Sequence, residues 1–70
     1  MEARDRFARN LRTLRTERGL SQEDLGRAAG MHRTEISLLE RSERDPRLVT
    51  IVRLAHALDV APSRMLDGIS

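Results

Sequence analysis

Phe7 is the only aromatic residue in a chain of seventy that also contains no cysteine. Together these two facts constrain the fold more than any other feature. Near the size at which a hydrophobic core barely suffices, no disulfide can staple the chain and no thiolate can hold a metal. The core must therefore be built from Leu, Ile, Val, Met and Ala. Without tyrosine or tryptophan, strands lack their best formers and helices are favoured. A single all-α domain spanning residues 1–70 is expected.

Apolar spacing and capping residues divide the chain into five helices. From Arg4 to Arg18, Phe7, Leu11 and Leu14 recur on one face, with Arg6, Arg9, Arg12, Thr13 and Thr16 opposite, and Gly19 supplies a left-handed stop. "SQED" is a Ser-x-x-Asp cap that opens a short second helix, about Gln22 to Ala28, with Leu25, Ala28 and Ala29 inward. Gly26 inside it costs about 1 kcal/mol relative to alanine, which implies a close helix–helix approach. Gly30 ends that helix, Met31 is read as a buried turn residue, and His32 stands at the N-cap of a third helix, about Arg33 to Arg41. Its inward residues are Ile36 and Leu39. "SERDP" is a polar loop. A fourth helix, about Leu48 to Leu58, carries a wide apolar face of Leu48, Ile51, Val52, Ala55 and Leu58 with Leu54 beside it. Asp59 turns the chain, and Pro62 suits the first position of a fifth helix to about Asp67, carrying Met65 and Leu66.

The N-terminal stretch MEARDRFARN has no apolar run, and no segment is long enough to span a bilayer, so a soluble cytoplasmic domain is expected. The net charge of +2 is modest. Its make-up is more telling, because all thirteen basic residues are arginine and none is lysine. A GC-rich genome produces that bias too. Even so, arginine is the side chain best shaped for bidentate contact with phosphate and guanine, and the balance leans towards nucleic acid.

Two short helices joined by a tight turn at Gly30 form a helix-turn-helix over about residues 21–41, whose second helix can enter a major groove. The outward face of the third helix carries Arg33, Thr34, Ser37 and Leu38, with Arg41 beyond. Arginine can bond guanine O6 and N7, Thr and Ser can read base edges or phosphates, and Leu38 can pack on a thymine methyl. An isolated exposed leucine is also normal on any surface, so composition favours DNA binding only slightly.

The stretch from Arg12 to Val60, with "GLSQEDL", the turn "AGM", "ISLLE" and the tail "PRLVTIVRLAHALDV", resembles the Cro/C1-type helix-turn-helix family of bacterial and phage repressors. "HRTEIS", then "ER" followed by "RDP", is similar to the small controller proteins of restriction–modification systems. The resemblance implies a five-helix, lambda-repressor-like DNA-binding domain. It places Arg33, Thr34, Ser37 and Leu38 at base-facing positions. Gln22, Arg41 and Arg44 fall at phosphate-contacting positions, and Gln22 also braces the recognition helix. Arg15 and Glu40 match a pair that bridges the first and third helices in a partly buried salt bridge. Two departures stand out: Gly26 where alanine is usual, and Ser42 where glycine is usual, which predicts an altered turn after the third helix. Glu35 is an unexpected acid beside presumed phosphates; it can pair with Arg33 or another arginine, the preferred explanation, or accept from cytosine N4.

One recognition helix reads too few base pairs for a genomic address, and the family dimerises to place two about 34 Å apart. Spare apolar surface on the fourth helix, with Val60, Met65, Leu66 and Ile69, is expected to form a homodimer interface. The expected partners are a near-palindromic double-stranded DNA operator, a second copy of the chain and RNA polymerase; no membrane and no small-molecule effector is expected. An antitoxin-like protein-interaction module of the same fold is the alternative. An enzyme is not expected. His32 and His56 lack paired acids and are read as a turn residue and a solvated one, four glycines form no phosphate loop, and neither cofactor nor metal site is indicated.

Overall fold

The computed structural model describes residues 2–70. Four α-helices follow one another: α1 (Ala3–Glu17), α2 (Gln22–Ala29), α3 (Arg33–Glu40) and α4 (Leu48–Leu58). The expected fifth α-helix is instead a 3-10 helix, Pro62–Leu66. The turn is short for a physical reason. Proline fixes its start, and Gly68 at φ +80° reverses the chain soon after, leaving room for one tight turn of i→i+3 bonding. No strand occurs among the described residues, and no helix there is long and apolar enough to cross a membrane.

The core is aliphatic around one ring. Phe7, Leu11 and Leu14 of α1 meet Leu25 and Ala29 of α2, Ile36 and Leu39 of α3, Leu54, Ala55 and Leu58 of α4, and Met65. Two inward assignments are corrected. Ala28 is exposed, and Gly26 takes the buried position on α2. On α4 the stripe is set by Thr50, Leu54, Ala55 and Leu58. At about 100° per residue Leu48 falls at the edge of that stripe and Val49 on its far side. They are accordingly 76% and 63% exposed. Ile51 and Val52 are half-buried, and Ile51 borders a mostly apolar groove of about 250 Å³ with Phe7, Pro46, Leu66 and Ile69.

Gly26 explains itself by contact. A Cβ built there would lie 2.6 Å from the Met31 carbonyl oxygen, so the α2–α3 turn is packed directly on the bare Cα. Asn10, which the sequence pattern did not single out, donates from its amide nitrogen to the carbonyls of Met65 and Asp67, both at 2.9 Å. One side chain of α1 thus pins the C-terminal turn.

Candidate nucleic-acid interface

The helix-turn-helix is fastened at both of its corners. Ser21 and Asp24 form a reciprocal capping box: the Asp24 N–H donates to Ser21 Oγ at 2.9 Å, and the Ser21 N–H donates to Asp24 Oδ2 at 3.2 Å. The hydrogen bond from the Ser21 backbone, followed by its hydroxyl and then Arg27, holds the Asp24 carboxyl below the usual carboxylate range. Gly30 closes α2 at φ +70°, and the Met31 N–H donates to the Gly26 carbonyl at 2.8 Å. Two residues later His32 Nδ1 accepts from the Thr34 N–H at 3.1 Å, so the ring caps α3. Its role is therefore more definite than that of a simple turn residue. Glu35 lies in the first turn of α3, where an acid complements the helix dipole. Its expected pairing with an arginine is not found: none of the ion pairs among the described residues includes Glu35.

At the C-terminal end of the recognition helix sits a largely buried polar cluster. Arg15 Nε donates to Glu40 Oε2 at 2.6 Å and Nη2 to Oε1 at 3.0 Å, a two-pronged pair between α1 and α3. The side chains are 12% and 3% exposed, deeper than partial burial. The remaining Arg15 nitrogen, Nη1, donates to the Leu20 carbonyl at 2.7 Å, and Gln22 Nε2 donates to Glu40 Oε1 at 3.1 Å. Hydrogen bonding to Glu40 holds the Arg15 guanidinium above its ordinary value. Gln22, from the first turn of α2, therefore braces the last turn of α3 through Glu40.

Next to this cluster, and sharing Gln22 with it, Gln22, Arg33, Thr34 and Ser37 line a polar notch of about 160 Å³ between the two helix starts. Arg33, Ser37 and Arg41 follow one another at four-residue spacing along the same side of α3. Arg33 and Thr34 are exposed, Ser37 half-buried. Leu38 does not line the notch; it is half-buried at the margin of this face. Arg41 is exposed, leaning on Glu43 at 3.7 Å, and Arg44 is exposed in the following loop. Ser42 corrects the expected loop departure. It adopts φ +60°, the left-handed conformation that glycine would take, and its hydroxyl donates to Asp5 Oδ1. A left-handed turn thus forms here with serine in place of glycine.

Of the four residues expected at a dimer surface, Leu66 is 43% exposed and Val60 and Ile69 are half-buried. Met65 is 0% exposed and packs inside the chain, so it has no surface to offer a partner. Leu48, expected on the wide apolar face of the fourth helix, and Val49, which was not, are the most exposed of the large apolar side chains. His56 is exposed. No cluster of three or more His, Cys, Asp or Glu residues placed to hold a metal occurs among the described residues.

Comparison with known proteins agrees with this geometry. A helix-turn-helix family model matches residues 11–64. The chain is 39% identical over 66 residues to the control protein C.SmaI of Serratia marcescens, covering 94% of this chain and 79% of that protein. The crystal structure of the restriction–modification controller protein C.AhdI from Aeromonas hydrophila superposes with a TM-score of 0.87 at 42% identity, covering 89% of this chain and 94% of that one. The solution structure of the DNA-binding domain of the P22 c2 repressor matches with a TM-score of 0.83 at 31% identity, covering 89% and 82%.

Proposed function

The chain belongs to the helix-turn-helix family of transcription regulators, and we propose that it binds a near-palindromic DNA operator as a homodimer, with α3 in the major groove. The observation that carries the reading is the notch itself. Arg33, Thr34 and Ser37 line it, while Gln22 and Arg15 hold the last turn of the helix through Glu40. In this reading Arg33, Thr34 and Ser37 meet base edges and Leu38 touches a thymine methyl from the margin. Gln22, Arg41 and Arg44 meet phosphates, which fix register without reading sequence. Gln22 can serve both ends, since one amide nitrogen on Glu40 leaves its oxygen and second hydrogen for the DNA side.

A homodimer is supported by the exposed apolar side chains of Leu48, Val49 and Leu66 and by the half-buried Val60 and Ile69. Its likeness to controller proteins points to control of restriction–modification genes in the cytoplasm, with RNA polymerase as the machinery occluded or engaged. Selection from a random duplex pool at physiological salt, with stoichiometry, tests the reading. Enrichment of an inverted repeat bound by two chains is the expected result. Salt-sensitive binding without enrichment overturns it and favours an antitoxin-like module with a protein partner.

A further inference from the structure

We propose that His32 is a pH-sensitive latch on the start of α3: the neutral imidazole holds the first turn closed, and the imidazolium lets it go. The cap of α2 is Ser21, whose hydroxyl does not titrate near neutral pH. The cap of α3 is a histidine, whose Nδ1 accepts the Thr34 N–H at 3.1 Å. Histidine is not among the favoured N-cap residues, and it is the side chain that ordinarily changes charge between about pH 5 and pH 8.

The hydrogen bond fixes the sign. To accept at Nδ1 the ring must be neutral, with its proton on Nε2. A second proton, added at Nδ1, turns the acceptor into a donor, and two N–H groups then face each other. The new charge also sits at the helix N-terminus, where the dipole is positive and a cation is disfavoured. Both effects act against the capped state. The helix has only eight residues, so its first turn is nearly half of it, and that turn carries Arg33 and Thr34.

The surroundings give the released ring a second place. His32 is exposed and shares a cavity of about 260 Å³ with Glu23 and Arg27 of α2, Met31 and Arg33. Arg27 already leans on Asp24 at 2.6 Å. Glu23 has no ion-pair partner among the described residues, so its carboxylate is open to an imidazolium. On α3 itself the first turn carries Arg33, which opposes a cation, and Glu35, which favours one. The ring thus sits on the Thr34 amide when neutral and turns towards Glu23 when charged. His56, in the last turn of α4, belongs to a helix end that suits a cation and caps nothing at the recognition helix.

A ¹H–¹⁵N NMR titration of the free protein from pH 8 to pH 5 tests the latch without DNA. The Thr34 amide shift should follow the His32 ring with one midpoint. Its protection from hydrogen exchange, corrected for the intrinsic pH dependence, should drop about fivefold as the ring charges. His32→Asn keeps an acceptor that does not titrate, so Thr34 should stay protected throughout. His56→Gln should behave as wild type, and Glu23→Gln should move the midpoint to lower pH. A Thr34 amide that ignores the His32 titration, or that responds equally in H32N, overturns the latch. An unmoved midpoint in E23Q overturns the second place of the ring. The effect on DNA rests on the reading that Arg33 and Thr34 meet base edges. The duplex enriched by selection is therefore bound at pH 7.5 and pH 5.5 at fixed ionic strength. Wild type should lose affinity by up to about fivefold, and H32N should lose none. Tighter binding at pH 5.5 in wild type but not in H32N overturns the release and makes His32 a phosphate contact. A selection that enriches no duplex sinks the DNA reading alone, and the Thr34 titration still decides the latch.

Discussion

Arg33 and Glu40 stand at opposite ends of α3, and their substitutions should fail in opposite ways. Arg33 is exposed with no ion-pair partner among the described residues. Arg33→Ala should leave stability within about 0.5 kcal/mol of wild type. It should weaken operator binding by roughly 1–3 kcal/mol and relax preference at one base position, read by competition among single-base operator variants. Glu40 is 3% exposed and takes three hydrogen bonds from Arg15 and Gln22. Glu40→Ala strands the Arg15 charge in a nearly closed site, at a cost of about 3–5 kcal/mol. A core of this size supplies only about 3–5 kcal/mol in total, so urea titration should show a largely unfolded chain. The sequence alone could not rank these residues. Glu40 reads as an exposed acid at a helix end, and only its resemblance to a family pair placed it inside. Gln22 was legible as a brace, but its partner was not, because Glu40 is eighteen residues away and no spacing rule connects them.

At the scale of elements, the α2–α3 corner was the most legible part of the molecule. Ser21, Asp24 and Gly30 each announce a local backbone need, and each meets it within a few residues. Gly26 announced a close approach, and the Met31 carbonyl is what it approaches. Alanine there would gain about 1 kcal/mol of helix propensity but place a methyl against a backbone oxygen that cannot swing aside. Gly26→Ala should therefore destabilise on balance, by up to about 2 kcal/mol, visible as a lower melting temperature. Operator affinity should fall as well, because the turn that aims α3 has to move. The capping box gives a pH prediction. With its folded pKa depressed, the Asp24 carboxylate contributes stability fully above the unfolded value, and that contribution is lost as pH falls through the folded one. Between about pH 4 and pH 2 the urea midpoint of wild type should drop more steeply than that of Asp24→Asn. The element that was misjudged is α4. Eight of its eleven residues are apolar, so periodicity had little contrast to work with. The true stripe followed Leu54, which tertiary packing selects and the local sequence does not.

That rotation of α4 decides what the whole molecule can do with a second copy. Had Leu48 been core and Met65 surface, the apolar face would have lain at the C-terminal turn. Instead Met65 fills the centre, and Leu48 and Val49 stand out at the start of α4. On the same helix Ile51 leads into the groove it shares with Phe7, Pro46, Leu66 and Ile69. Protrusion and groove thus lie at the same end of one chain, which lets a single patch serve both partners of a two-fold pair. The exposed pair Arg4 and Asp45, 3.6 Å apart, lines the same groove and brings both charge signs to it. Two substitutions separate core from interface. Val49→Asp should shift sedimentation towards monomer while leaving the helical content and the unfolding midpoint of the monomer intact, since a 63% exposed side chain carries little of the fold. Its affinity for a single half-site should persist, and the gain from joining two half-sites should vanish. Met65→Ala should do the reverse, costing about 2–5 kcal/mol of stability through the cavity it leaves, with folded molecules still pairing. A V49D protein that remains dimeric and binds both half-sites at full strength would show that the two chains meet elsewhere.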